Sequence, residues 1–190
     1  VVLAGVGGQG VLTVAALLAE AGQRDGLEVR QGEVHGMSQR GGAVTATVRL
    51  ADEPIHGTLV GRRSAAVVVG VEPVEALRHL EYLAPSGRLL ASSDPVRNVP
   101  DYPDTDEVLA AIGRVPGAVI VPAAEIAAAA GSRRSANVVM AGAASMFLPV
   151  RQSTFEACIA DAFAAKGSRV VDANLAAFRA GRGAVSETEG

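Results

Sequence analysis

The chain has 190 residues, a length that fits one domain, and 49% of it is apolar, drawn mostly from Ala, Val and Leu, with no Trp, two Tyr and four Phe. Small side chains favour close helix–sheet packing and leave few rings on which nucleic-acid bases could stack. The formal net charge is −3 and no basic run tracks a phosphate backbone, which argues against nucleic-acid binding. The single cysteine, Cys158, excludes an intrachain disulfide framework and an Fe–S cluster built from this chain alone. Its apolar surroundings, Phe155 to Ile159, read as a helix with a buried thiol. No apolar stretch approaches the ~20 residues of a membrane span. No signal peptide is visible and the chain opens inside a strand without Met, so a few leading residues are expected to be missing; cytoplasm is the expected compartment.

The first apolar run, Val1 to Ala4, ends in glycines, as a buried parallel strand does. A helix is expected from Val11 to Ala21, stopped at Gly22 or Gly26, and a second strand from Leu27 to Gln31. Together these span the length of one βαβ unit. Residues 32–42 are polar and glycine-rich and read as a loop. Ala43 to Leu50 alternates with β-branched residues and is a strand; Ile55 to Val60 reads as a short strand or a loop. Ala65 to Gly70 is a buried strand, followed by a helix from Glu72 to Leu83 that opens with Pro73. Arg88 to Ser92 is a strand, and the three prolines between Asp94 and Asp104 dictate a loop. Asp106 to Ile112 is helical, Ala118 to Val121 a strand and Ala123 to Ala130 a helix. Further helices are expected at Ala136–Leu148, Thr154–Ala165 and Leu175–Ala180, with a frayed end from Ser186. The helix from Val138 is apolar on nearly every face, which fits either the core or a subunit interface. The pattern describes one α/β domain over 1–190: a mostly parallel Rossmann-like sheet with helices on both faces and a helical C-terminal third.

Two segments carry chemistry. Gly5-Val6-Gly7-Gly8-Gln9-Gly10 has the dinucleotide-binding spacing and lies between a strand and a helix, where glycines let the backbone approach a pyrophosphate at a helix N-terminus. The plainer reading is a tight turn that only packs. An NAD site wants an acid at the end of the second strand; Glu28 lies inside that strand and Glu33 a little beyond it. The second segment, Glu33-Val34-His35-Gly36-Met37-Ser38-Gln39-Arg40-Gly41-Gly42, concentrates a carboxylate, an imidazole, a hydroxyl, an amide and a guanidinium in eight residues. By the parallel-sheet rule both segments face one crevice. Arg40 suits anion binding, Ser38 and Gln39 hydrogen bonding, and His35 proton or hydrogen-bond work. His56 and His79 read as exposed or structural.

Together these two segments resemble the gamma-type subunit of 2-oxoacid:ferredoxin oxidoreductases, and within that family the small beta subunit of the indolepyruvate type. The likeness continues through Asn137-Val-Val-Met-Ala-Gly142 and Asn174-Leu-Ala-Ala-Phe-Arg-Ala-Gly181. It implies oxidative decarboxylation of a 2-oxo acid with coenzyme A (CoA) and ferredoxin, aryl pyruvates being the substrates of the indolepyruvate type. It also implies thiamine diphosphate with Mg²⁺, and 4Fe-4S clusters. One cysteine cannot hold a cluster and no Gly-Asp-Gly segment of the thiamine-binding kind is present, so a large thiamine/Fe–S partner subunit is expected to carry both, with ferredoxin reached through the complex. On this reading His35, Ser38, Gln39 and Arg40 form an active-site loop, and Gly5, Gly7, Gly8, Gln9, Gly10 and Glu33 contact a cofactor or co-substrate such as CoA. The competing readings are a stand-alone NAD(P)- or FAD-binding oxidoreductase, which rests on the Gly5/Gly7/Gly10 spacing, and a non-catalytic interaction module.

Overall fold

The computed structural model describes residues 1–35, 41–97 and 99–186. A six-stranded sheet has the order β2-β3-β1-β4-β5-β6, with β1 at Val2–Val6, β2 at Glu28–His35, β3 at Ala43–Ala51, β4 at Ala65–Gly70, β5 at Leu83–Ser92 and β6 at Ala118–Val121. β1, β4, β5 and β6 pair in parallel, and β3 runs antiparallel to both β1 and β2. The mostly parallel α/β architecture read from the sequence is therefore present.

Alternating residues of each strand face opposite helical layers. Leu3, Val44, Ala46, Val67, Val69 and Leu90 pack under α1 (Val11–Arg24), α5 (Ala136–Ser145), α6 (Gln152–Phe163) and α7 (Ser168–Ser186). Val2, Val68, Leu89 and Ala91 pack on the opposite face with Ala76 of α2 (Pro73–Arg78) and with Val108 and Ile112 of α3 (Thr105–Gly113). A short α4, Ala123–Ala129, follows β6. Among the described residues no helix is long and apolar enough to cross a membrane.

Helix α5 is buried along nearly its whole length, from Val138 to Ser145, by other parts of this chain. It crosses α7 at two glycines: a Cβ on Gly142 would lie 2.1 Å from the Phe178 carbonyl oxygen, and one on Gly181 would lie 2.0 Å from that of Val139. The core, not a subunit interface, accounts for its apolar character. Cys158 is fully buried, and burial pushes its thiol pKa up.

Several elements differ from the sequence expectation. β2 continues to His35, because antiparallel pairing with β3 carries Gly32 to His35 into the sheet against Thr47 to Val44. Helix α1 runs past Gly22, which lies against Leu50 and Val29, and closes at Asp25 and Gly26, the second of the two expected stops. Of the two readings for residues 55–60 the loop holds; they lie over β3, where Arg49 donates to the Gly57 carbonyl (2.9 Å) and Thr47 to that of Thr58 (3.0 Å). β5 starts five residues early, at Leu83, and α7 spans 19 residues where a short helix was expected. Ser186 is the last residue of α7, and residues 187–190 lie outside the described residues.

Candidate functional site

The chain leaves β1 at Val6 and turns sharply. The Gln9 N–H donates to the Val6 carbonyl (3.1 Å), and Gly8, third in this four-residue turn, has φ +103°. A type II turn demands that positive φ and so selects glycine. Gly8 is exposed, and nothing lies within 4 Å of where its Cβ would be. Gly10 caps α1 in the left-handed conformation (φ 79°), and its carbonyl accepts from Val14 N–H (3.1 Å). No side chain caps the helix and no acid occupies its first turn, so the partial positive charge of the N-terminus is unneutralised.

Gln9 has a defined task within the fold. Its Oε1 accepts from Val6 N–H (2.8 Å) and its Nε2 donates to the Val71 carbonyl (2.9 Å), so one carboxamide straps the end of β1 to the residue following β4. The space beside Gly5 is also taken by the chain: a Cβ there would sit 2.3 Å from Val71 Cγ2 and 2.8 Å from Val11 Cγ2.

The polar segment reaches this turn through backbone. Gly7 N–H donates to the Gly42 carbonyl at 2.8 Å, and Ala43 then pairs with Val6. Residue Val44 is in register with Gly5 on one side and His35 on the other, which puts the His35 backbone two strand spacings, roughly 10 Å, from the glycine turn. Glu33 stands on the exposed edge strand opposite Ala46. Ser38, Gln39 and Arg40 lie outside the described residues. The insertion of β3 bears on the nicotinamide reading: the end of β2, where a ribose-binding acid belongs, is not beside β1. Glu28, the nearest acid by spacing, pairs with Arg30 at 2.8 Å.

Two clefts open at the turn. One, of about 450 Å³, is bordered by Val6, Gly7, Gly8, Val11, Leu12 and Val44 and is largely apolar. The other, of about 420 Å³, lies where the sheet order reverses between β1 and β4, and is bordered by Gly8, Gln9, Val71, Arg133, Arg134 and Asn137. Ligands of open α/β sheets favour such switch points. Sequence reading missed the two arginines. The signal was the adjacent pair in Gly131-Ser-Arg-Arg-Ser135, just ahead of a helix and with no acid nearby. Asn137 packs on Gly10, its Nδ2 3.4 Å from the Gly10 carbonyl oxygen.

The sequence matches the family described as pyruvate ferredoxin/flavodoxin oxidoreductase over residues 1–184. The chain belongs to that family. Over its whole length it is 36% identical to the indolepyruvate oxidoreductase subunit IorB of Thermococcus kodakarensis, and it covers 97% of that protein. The fold matches a 2-oxoglutarate:ferredoxin oxidoreductase from Magnetococcus marinus, solved with 2-oxoglutarate, coenzyme A and succinyl-CoA bound, at a TM-score of 0.76 and 24% identity. That match covers 98% of this chain and 30% of the longer one, so this chain corresponds to less than a third of that polypeptide. The gamma subunit of a keto/oxoacid ferredoxin oxidoreductase from Geobacter sulfurreducens matches at a TM-score of 0.70 and 22% identity, covering 98% of this chain and 97% of that one. The two structural likenesses bear on the fold alone. With the family established, the chain is a subunit of a 2-oxoacid:ferredoxin oxidoreductase, as its motifs implied; nothing favours the stand-alone NAD(P) or FAD enzyme.

Proposed function

We propose that this chain, as a single domain over residues 1–190, is the small subunit of an aryl-pyruvate:ferredoxin oxidoreductase and forms one wall of its active site. The observation that carries the reading is the 2.8 Å hydrogen bond from Gly7 N–H to the Gly42 carbonyl, which joins the glycine turn to the polar segment at one sheet edge. Gly7, Gly8 and Gly10 present backbone and a helix N-terminus to a CoA molecule, while Gly5 and Gln9 hold the turn in shape. His35, Ser38, Gln39 and Arg40 serve as the active-site loop, and Glu33 as a cofactor contact. Arg40 meets an anionic group, and Ser38 and Gln39 supply hydrogen bonds.

Thiamine diphosphate and 4Fe-4S chemistry do not fit this chain. Its one thiol is buried, and among the described residues no group of three or more His, Cys, Asp or Glu side chains is placed to hold a metal. A large partner subunit supplies both and passes electrons to ferredoxin in the cytoplasm.

Co-expression with a large thiamine/Fe–S subunit from the native host tests the reading. The two chains are expected to co-purify and to reduce ferredoxin only together, with CoA and a 2-oxo acid. The kcat/KM for indolepyruvate or phenylpyruvate should exceed that for pyruvate or 2-oxoglutarate at least tenfold. A stable monomer that recruits no large subunit, or one that binds NAD(P)H in preference to CoA, would sink it.

A further inference from the structure

The connection from β5 to α3 is exposed, yet it is tied down at several points. Tyr102 donates its hydroxyl to Glu72, a residue only 1% exposed at the start of α2. Burying a carboxylate is costly unless donors meet it. One Glu72 oxygen caps α2 by accepting from the Glu75 N–H (2.8 Å), so the other serves the connection alone. Arg97 lies over the Tyr102 ring at 5.8 Å and donates to the Thr105 hydroxyl (3.3 Å). Asp104 accepts from the N–H groups of Asp106 and Glu107 (3.0 and 3.1 Å), which starts α3. Pro95, Pro100 and Pro103 restrict the chain further. A slack loop would join β5 to α3 equally well, so the fold itself does not call for these restraints.

What the restraints hold in place is a small apolar surface. Val99 is 46% exposed, next to exposed Pro100 and close in sequence to exposed Pro103. Asp101, Asp106 and Glu107 are exposed around them. An apolar centre within a charged rim has the make-up of a protein interface. Fixing such a surface in advance lowers the entropy lost on binding.

The position of this surface names its partner. β1, β2, β4 and β5 all run in one direction, so the glycine turn, the polar segment and the Val99 loop leave the sheet at the same edge. Along that edge the Val99 loop lies on the far side of β4 from the glycine turn. We propose that residues 99–107 are a preshaped docking surface for the large thiamine/Fe–S subunit. The inference rests on the reading of this edge as one wall of the shared active site, and carries the contact along it past β4. The matching face of the large subunit is an apolar hollow bordered by Lys or Arg side chains. An acidic partner is repelled by the same rim.

The test reads assembly and needs no turnover. Complexes made by co-expression are diluted and their dissociation constant is followed by mass photometry. Val99→Asp should raise it about 10- to 100-fold, as loss of a central apolar contact does. Asp101→Lys should slow association and weaken its dependence on salt. Both side chains are exposed, so an unchanged melting temperature of the chain checks that folding is intact. Tyr102→Phe keeps the ring and frees the loop, and should raise the dissociation constant about two- to fivefold through lost preorganisation. Unaltered assembly by both Val99→Asp and Asp101→Lys overturns the proposal. So does unaltered assembly with slower reduction of ferredoxin, which would assign the surface to ferredoxin. A complex that assembles as expected but turns over no aryl pyruvate sinks the parent reading and leaves the docking surface standing. An unaltered chain that joins no large subunit overturns both.

Discussion

The glycine turn after β1 and the crossing of α5 with α7 are both glycine-dependent, and they use the residue in opposite ways. At the crossing, Gly142 and Gly181 abut carbonyl oxygens of the facing helix, so glycine removes bulk and lets two helices touch. At the turn, Gly8 faces open space and takes a backbone angle other residues avoid, so glycine keeps a surface clear. A motif of small residues can therefore mark a packing contact or a passage; only the neighbours tell which. The crossing lies deep in the core, whereas the turn opens on two clefts.

The sharpest way to break the contrast is to add one methyl group at each place. Gly142→Ala or Gly181→Ala forces a Cβ against backbone that cannot rotate away, and should cost about 3 kcal/mol, at the upper end of overpacking costs. Chemical denaturation measures it, and a loss below half that value would show that the helices separate easily. Gln9→Ala removes the carboxamide joining Val6 to Val71 and leaves an N–H and a carbonyl to find water, for an expected loss of about 2 kcal/mol. Hydrogen exchange at Val6, whose N–H donates to the carboxamide, should quicken with it; unchanged protection would mean that the strap is dispensable. Gly8→Ala meets no neighbour and should cost only the left-handed backbone term, about 1 kcal/mol. On the proposed reading of the turn as a CoA contact, its larger effect should be a KM increase for CoA out of proportion to the stability loss.

The smallest effect lies on the rim of the helical layer, where Arg179 of α7 grips Glu156 of α6 (2.6 and 2.9 Å) and holds its carboxyl down to about 2. A folded-state pKa below the unfolded value near 4.5 adds stability above about pH 4.5 that is lost as the pH falls towards 2. Because the arginine is more than half exposed, the pair should be worth only about 1 kcal/mol. In urea titrations, E156Q should flatten this acid limb; an unchanged slope would assign acid sensitivity elsewhere. Asp25 lies in the same layer and titrates the same way, held well below the usual carboxylate range by Arg151 and Thr154.

Much of the fold was legible because the signals are local. Buried parallel strands such as Ala65 to Gly70 are continuous apolar runs, and Glu72 followed by Pro73 marks a helix start wherever the helix goes. The extension of β2 to His35 was not legible, since Gly32 to His35 have weak strand character and are ordered by pairing with β3. Likewise α7 has little net apolar character, with Arg169, Asp172, Arg179 and Arg182 along it, and owes its length to the groove it fills beside α5.

The candidate site divides along the same line. The sequence by itself determined the chemistry on offer: the glycine spacing, the concentration of functional groups from Glu33 to Arg40, the single thiol and, through its motifs, the family. Tertiary structure decided what those residues have as neighbours. It inserted β3 between β1 and β2, turned Gln9 inward as a strap and brought Arg133 and Arg134 from more than a hundred residues away to the cleft behind Gly8. The physical reason is that backbone conformation and composition are properties of short segments. A cleft is a property of strand order, and strand order is set only when the whole core packs.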